Sequence, residues 1–165
     1  MEGFSFRPLS MKDAPEVLRV MRKAAGGLSR QPHEMDLAWA EEALATALSG
    51  GVAIGAWEGV NLAGVIKASR MPSLQFQHVL WDLTVAVDPD FQRRGVARGL
   101  FEALFSAAET VRPRIKRIEL VVRADLTHAI RLYESLGFQI EGRFEGRFRL
   151  PDGRYEADLP MAHFL

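Results

Sequence analysis

The segment from Val87 to Arg98, V-D-P-D-F-Q-R-R-G-V-A-R, has the residue types of a phosphate-binding turn. Pro89 lacks a backbone donor and ends the apolar, β-branched strand that precedes it. Apolar residues at helical spacing begin at Val96, so a helix starts close to Gly95. The start of a helix has unpaired N–H groups and partial positive charge, and Gly95 has no Cβ to block a ligand. We therefore predict that this turn binds phosphate.

The residue patterns of several other chemistries are missing. The sequence has no cysteine, which excludes disulfides, thiolate metal ligands and a cysteine nucleophile. The four histidines, His33, His78, His128 and His163, do not have the spacing of metal ligands, so no metal site is predicted. The nucleophile elbow of hydrolases, the nucleoside-triphosphate loop and the dinucleotide-binding turn are also missing.

Composition predicts a single domain over residues 1–165. The chain has 165 residues, of which 48% are hydrophobic and 25% are charged, enough for one substantial core. Basic and acidic residues number 21 each, so no general attraction to nucleic acid or to a membrane surface is predicted. No segment has the roughly 20 apolar residues of a membrane span, and the first residues do not have a signal-peptide pattern. We expect a cytoplasmic protein.

The elements that position the turn alternate between strands and helices. Two early strands, 52–57 and 62–69, flank a Gly-containing turn and are expected to form an antiparallel hairpin. The other predicted strands are 3–7, 83–87, 117–123 and 138–141, with a final hairpin turning at 151–153. Four helices are predicted. One begins near Asp13, one spans 36–48, one begins near Val96 and one spans 127–136.

Together with A-I-R-L-Y-E-S-L-G-F at 129–138, the turn resembles the GCN5-related N-acetyltransferase (GNAT) family. Gln92, Gly95 and Ala97 match that family's pyrophosphate loop, Q/R-x-x-G-x-G/A, and the second segment resembles its Tyr-bearing helix. The order of elements matches over nearly the whole chain. The resemblance implies an α/β (α+β) fold with a mixed, mostly antiparallel central sheet of about seven strands, a splay in that sheet, and about four flanking helices.

The resemblance also implies acetyl-CoA as cosubstrate and no metal. Extended backbone on the strand before the loop would pair with the amide-rich pantetheine arm. N–H groups of the loop and of the helix start would bind the pyrophosphate. The cofactor-binding residues implied in this way are Val85, Ala86, Val87, Gln92, Arg93, Arg94, Gly95, Val96, Ala97 and Arg98. Packing between strand and helix is the plainer alternative for the Gly95 turn.

Tyr133 matches the position of the family's general acid, which protonates the departing thiolate. Its plainer alternative is a buried aromatic side chain. An ammonium acceptor must also lose a proton before it attacks, and the nearest acids, Asp82 and Glu119, are candidate bases beside a water-mediated path. Two departures from the family pattern are Val121, where a protein-acetylating branch has glutamate, and Leu126, where many relatives have asparagine.

We therefore predict an N-acetyltransferase that moves the acetyl group of acetyl-CoA directly to a primary amine of a small molecule, with an amino acid or related amine favoured. Two alternatives remain. One is a noncatalytic acyl-CoA-binding or interaction domain, and the other is an acetyltransferase that acts on a protein N-terminus or lysine. A homodimer through the last strands is a further possibility. No nucleic-acid or membrane partner is expected.

Overall fold

A computed structural model describes residues 3–165, which form one eight-stranded sheet flanked by four α-helices. The strands are β1 (Ser5–Pro8), β2 (Val52–Glu58), β3 (Asn61–Arg70), β4 (Val79–Val87), β5 (Arg117–Arg123), β6 (Gln139–Ile140), β7 (Phe144–Arg149) and β8 (Tyr155–Phe164). The helices are α1 (Ala14–Lys23), α2 (Leu37–Leu48), α3 (Val96–Thr110) and α4 (Thr127–Ser135). The strand order is β1-β2-β3-β4-β5-β8-β6, and β7 also pairs with β8.

The predicted fold class is confirmed, including the antiparallel hairpin of β2 and β3. The sheet has one strand more than expected because the segment after α4 is divided into β6 and β7. Ile140 pairs with Met161 and Phe144 with Asp158, so the register against β8 shifts by one residue around Gly142. The β4–β5 pair is the parallel one, and every other strand pair is antiparallel.

Local sequence explains where several elements begin and end. Asp36 caps α2 by accepting a hydrogen bond from the Trp39 N–H at 2.8 Å, which satisfies one unpaired donor of the first turn. Gly153 turns the last hairpin with φ 89°, a conformation that L side chains disfavour. Helix α3 begins at Val96, as the apolar spacing predicts, and ends at Thr110. Strand β4 begins four residues before the predicted strand at Leu83.

The sheet has an apolar core on each face. Side chains of β2 and β3 are buried almost without interruption, which is typical of strands covered on both sides. Helices α3 and α4 cover one face, where Phe101 and Leu104 contribute to the core. Helices α1 and α2 cover the other face, where Met21 and Leu44 contribute.

Helix α3 lies very close to the sheet at Gly64 of β3. A Cβ added to Gly64 would lie 3.0 Å from Val96 Cγ1 and 3.1 Å from the Ala86 carbonyl oxygen. The first residue of α3 therefore packs directly on β3 and β4, and this contact fixes where the helix starts relative to the end of β4. Within residues 3–165, none of the helices combines the length and apolar character that a membrane span requires.

Candidate active site

Strands β4 and β5 start side by side and then separate. They pair only at Val79–Arg117 and Leu80–Ile118, although β4 continues to Val87 and β5 to Arg123. A groove of about 1190 Å³ opens at this splay, between the two strands, the start of α3, helix α4 and the segment that joins α1 to α2. Backbone groups of β4 that face the groove have no β5 partner, so an extended ligand can pair with them.

The splay begins at a bulge in β4. Lys67 pairs with Thr84 and Ser69 with Trp81, so two residues of β4 face one residue of β3 at this point. Asp82 is one of the two and has φ 49°, in the left-handed region. Its carboxylate lies 2.8 Å from Lys67 Nζ, and Lys67 is only 6% exposed. The bulge residue Asp82 therefore forms an ion pair with a buried lysine of the neighbouring strand.

The turn between β4 and α3 has the geometry of an anion site. Arg93 has φ 59° and Gly95 has φ 81°, and Gly95 is the N-cap of α3 with no side chain capping the helix start. The N–H groups of the first helical turn are thus available to a ligand, and the helix dipole adds positive charge there. Such a concave set of N–H groups suits a phosphate oxygen.

Nine of the ten residues predicted to bind the cofactor line the groove: Val85, Ala86, Val87, Gln92, Arg93, Gly95, Val96, Ala97 and Arg98. The tenth, Arg94, does not line it. Its guanidinium pairs with Glu58 and lies over the rings of Phe4 and Phe91, 4.7 and 5.5 Å from their centres. The side chain of Arg94 therefore points away from the groove, and only its backbone could contact a ligand there.

The side chains of Gln92 and Arg98 form hydrogen bonds that connect the loop to β4 and to α4. Gln92 Nε2 donates to the Val87 carbonyl oxygen at 3.4 Å, at the end of β4. Arg98 Nη2 donates to Ser135 Oγ at 2.7 Å, which connects the first turn of α3 to the last residue of α4. The loop and the Tyr-bearing helix are therefore held together by a direct contact.

Tyr133 lies on α4 and lines the same groove. The residue is 9% exposed, and its ring makes an edge contact with Phe101 at 5.5 Å between ring centres. Burial raises the pKa of Tyr133 to about 12, because the phenolate would lose hydration. The hydroxyl therefore keeps its proton at neutral pH and can donate a hydrogen bond into the groove.

The two candidate bases also line the groove, but each already has a cationic partner. Asp82 accepts from Lys67, and Glu119 accepts from Arg117 Nε at 2.6 Å. Both carboxylates are therefore engaged in ion pairs with residues of neighbouring strand positions. Val121 and Leu126, the two departures from the family pattern, line the groove as well, and Val121 is 49% exposed.

Sequence reasoning missed several residues of the groove. Lys67 is the clearest, since a lysine inside the apolar run A-G-V-I-K-A-S marks a charge at a buried strand position. Asp158 of β8 and Trp39 of α2 also line the groove. They are distant in sequence from the loop. Strand pairing brings Asp158 to the groove, and the packing of α2 on the sheet brings Trp39 to it. No group of three metal-ligating side chains is present among residues 3–165.

A profile of the Acetyltransferase (GNAT) family matches residues 16–138, about three quarters of the chain. The chain belongs to this family. The match confirms the resemblance seen in the sequence.

Curated relatives match over a shorter region. A [Ribosomal protein bS18]-alanine N-acetyltransferase of Salmonella typhimurium is 45% identical over 73 residues, which cover 42% of this chain and 48% of the relative. The L-amino acid N-acetyltransferase AaaT of Escherichia coli is 35% identical over 81 residues, which cover 49% of each. The chain therefore spans about half the length of the curated relatives that it matches.

Solved structures match over almost the whole chain. An acetyltransferase of the GNAT family from Streptococcus pneumoniae has a TM-score of 0.87 at 20% identity, covering 98% of this chain and 99% of that one. Salmonella typhimurium yncA, solved with its cofactor acetyl-CoA, has a TM-score of 0.82 at 20% identity, covering 98% and 94%. At such identities these likenesses show the fold.

Proposed function

We propose that this chain transfers the acetyl group of acetyl-CoA directly to a primary amine, and that the acceptor is a small molecule such as an amino acid or a related amine. The observation that carries the proposal is the splay. The unpaired edge of β4 leads without interruption from the bulge at Asp82 to the left-handed turn at Gly95. A ligand that has an amide-rich arm and a diphosphate fits these two features in that order.

In this proposal the chain mainly binds and aligns the two substrates. The free edge at Val85 to Val87 pairs with the extended arm, and the N–H groups at Gly95 to Arg98 bind the diphosphate. The Val85 N–H is our candidate for stabilising the oxyanion that forms as the amine attacks. The ammonium first loses a proton to water, and the neutral amine then attacks the thioester carbon. Tyr133 donates its proton to the sulfur as the C–S bond breaks, and the proton released by the new amide nitrogen returns to the Tyr133 oxygen through water. No acyl-enzyme is needed, because both substrates meet in one groove.

A contact on the acceptor side supports a small acceptor. Arg123 Nη2 of β5 donates to the Gly26 carbonyl oxygen at 3.4 Å, so the segment after α1 reaches across to β5. Gly26 and Arg123 both line the groove, so this contact forms part of its wall. Val121, in place of a glutamate, points in the same direction, since the protein-acetylating branch has an acid there.

A protein N-terminus is a second candidate acceptor because of the curated relatives. Their name describes acetylation of an alanine of a ribosomal protein, and the matched region reaches 45% identity. A cytoplasmic location and dimer formation through the last strands stay predictions.

The test is an acceptor screen that measures release of CoA from acetyl-CoA. The panel contains the twenty amino acids and their amides, simple alkylamines, peptides with N-terminal alanine and peptides with internal lysine. We expect turnover with free amino acids or simple amines that exceeds turnover with peptides. Turnover with alanine peptides alone would support the second candidate. Acetyl-CoA binding without turnover on any acceptor would support the noncatalytic alternative.

A further inference from the structure

Four acidic side chains line the groove, and Asp158 differs from the other three. Asp82 and Glu119 are hydrogen-bonded to cations, and Glu42 lies exposed on α2. The side chain of Asp158 is 14% exposed, and no hydrogen bond from residues 3–165 reaches its carboxylate. A shielded carboxylate without protein hydrogen bonds is left to water or to a ligand for its hydrogen bonds.

The two arginines near Asp158 donate no hydrogen bond to its carboxylate. Arg147 Nε lies 3.7 Å from Asp158 Oδ2, beyond hydrogen-bond distance, and the Arg147 side chain is 53% exposed. Its guanidinium lies over the ring of Phe144, 4.8 Å from the ring centre. Arg123 is directly opposite Asp158 in the β5–β8 register, but it donates to Asp125 at 3.0 Å. The Asp158 carboxylate therefore lies in the groove with one counterion, Arg147, that is not hydrogen-bonded to it.

The surroundings of Asp158 suit an amine on an apolar stem. Val121 pairs with Pro160 and Arg123 with Asp158, so Val121 lies diagonally next to Asp158 on the same face of the sheet. Val121 is half exposed and offers an apolar surface beside the carboxylate. Phe148 also lines this part of the groove. A carboxylate beside apolar side chains binds a primary ammonium through a charge-assisted hydrogen bond while its carbon stem remains on the apolar surface.

We infer that Asp158 is the residue that binds the protonated amine of the acceptor, and that the acceptor is a primary ammonium on a small apolar stem. The inference rests on the proposed function and adds to it the charge of the acceptor and the residue that selects it. It also gives a reason for valine at position 121, since the carboxylate of the acceptor site lies on the neighbouring strand instead.

The test compares Asp158→Asn with wild type, using the most active amine of the acceptor screen. Loss of one hydrogen bond to a charged group should raise the acceptor KM by about 10- to 100-fold. The KM for acetyl-CoA should stay within twofold of wild type, because Asp158 lies on β8, two strands away from β4 and its turn. For 4-methoxyaniline, an amine that is largely neutral at pH 7.5, the KM should be the same in both proteins.

Two further variants separate binding from structure. Asp152→Asn removes a carboxylate in the exposed turn of the same hairpin, and it should leave every KM unchanged. Arg147→Met removes the loose counterion and should lower the KM for the ammonium acceptor. An unchanged acceptor KM in Asp158→Asn, or an equal rise for the neutral amine, would overturn the inference.

If the screen yields no acceptor, the proposed function has failed, and the site can still be tested by binding. n-Butylammonium chloride is then titrated into the ¹⁵N-labelled protein with acetyl-CoA present. We expect shifts of amide signals on β5 and β8 in wild type and none in Asp158→Asn. Equal shifts in both proteins, or none in either, would overturn the ammonium site.

Discussion

Lys67 and Asp82 form a two-point contact across β3 and β4. Lys67 Nζ donates to Asp82 Oδ2 at 2.8 Å and to the Asp82 carbonyl oxygen at 3.3 Å. Asp82 has a left-handed backbone, which is unfavourable for a residue with a side chain. The contact therefore stabilises the bulge at the point where β4 leaves β5, and it makes Asp82 a structural residue more than a free base.

We predict that Lys67→Met lowers kcat by about 10- to 100-fold, since a small displacement of aligned groups is enough for such a loss. Lys67→Arg should retain more activity because it keeps a donor for both oxygens. Lys12→Met, on an exposed turn, is the control. Steady-state kinetics with the best acceptor gives the result. A folded Lys67→Met protein with wild-type kcat would show that the bulge does not need this contact.

We predict that Tyr133→Phe lowers kcat by about 100-fold, the lower end of the usual contribution of a general acid. The affinity for acetyl-CoA, measured by calorimetry, should stay within twofold because the ring and its contact with Phe101 are retained. The chain has two tyrosines, so Tyr155→Phe, at an exposed position, is the matched control. Equal kcat in wild type and Tyr133→Phe would remove Tyr133 from the mechanism.

Tyr133 should also make the stability of the fold depend on alkaline pH. Burial raises the pKa of Tyr133 to about 12, above the value of about 10 in an unfolded chain. The unfolded state loses this proton first, so the contribution is full below pH 10 and decreases as the pH rises toward 12. Guanidinium unfolding at pH 9 and pH 11 should show a larger loss of stability in wild type than in Tyr133→Phe. Parallel losses in the two proteins would contradict the buried phenol.

Gly95 provides a test of the anion-binding turn. We predict that Gly95→Glu weakens acetyl-CoA binding by at least about tenfold, because a side chain and a negative charge enter the site of the diphosphate. Gly153→Glu is the matched control, since Gly153 has a similar φ of 89° and lies in a distant turn. Both variants should lose comparable stability from backbone strain. Calorimetry that shows unchanged affinity in Gly95→Glu would refute the turn as the binding site.

Asp88 should make the fold sensitive to acid. Asp88 is buried and accepts from Arg19 at 2.5 Å and from Lys23 at 3.1 Å, which ties α1 to the end of β4. Burial opposes the charge of Asp88, but the hydrogen bond from the Asp90 N–H and the two cations outweigh it and lower the pKa of Asp88. Its contribution is therefore present above pH 4 and is lost as the pH falls below that value.

We predict that Asp88→Asn lowers the free energy of unfolding by about 1–3 kcal/mol at pH 7, as expected for a hydrogen-bonded charged group whose partners stay partly hydrated. The difference from wild type should shrink between pH 5 and pH 3. Urea unfolding followed by circular dichroism at several pH values measures it. A difference that is constant over this pH range would show that the charge of Asp88 is not what stabilises α1 against β4.

The sequence was most informative where chemistry depends on local backbone. The loop at Gly95, the hairpin of β2 and β3 and the four helices follow from glycine positions and apolar spacing, which are local signals. The side chains of the acceptor half could not be predicted. Asp158 and Lys67 are brought near the groove by strand pairing over long sequence separations. The direction of Arg94 was also missed because it depends on Glu58, 36 residues away.

The two separate cores of the sheet have a consequence for how this chain can change. Substitutions among the side chains beneath α1 and α2 alter one layer, whereas the packing of α3 on Gly64 belongs to the opposite layer. Under the proposed function, substitutions beneath α1 and α2 would change the acceptor side without altering the contact of α3 with Gly64.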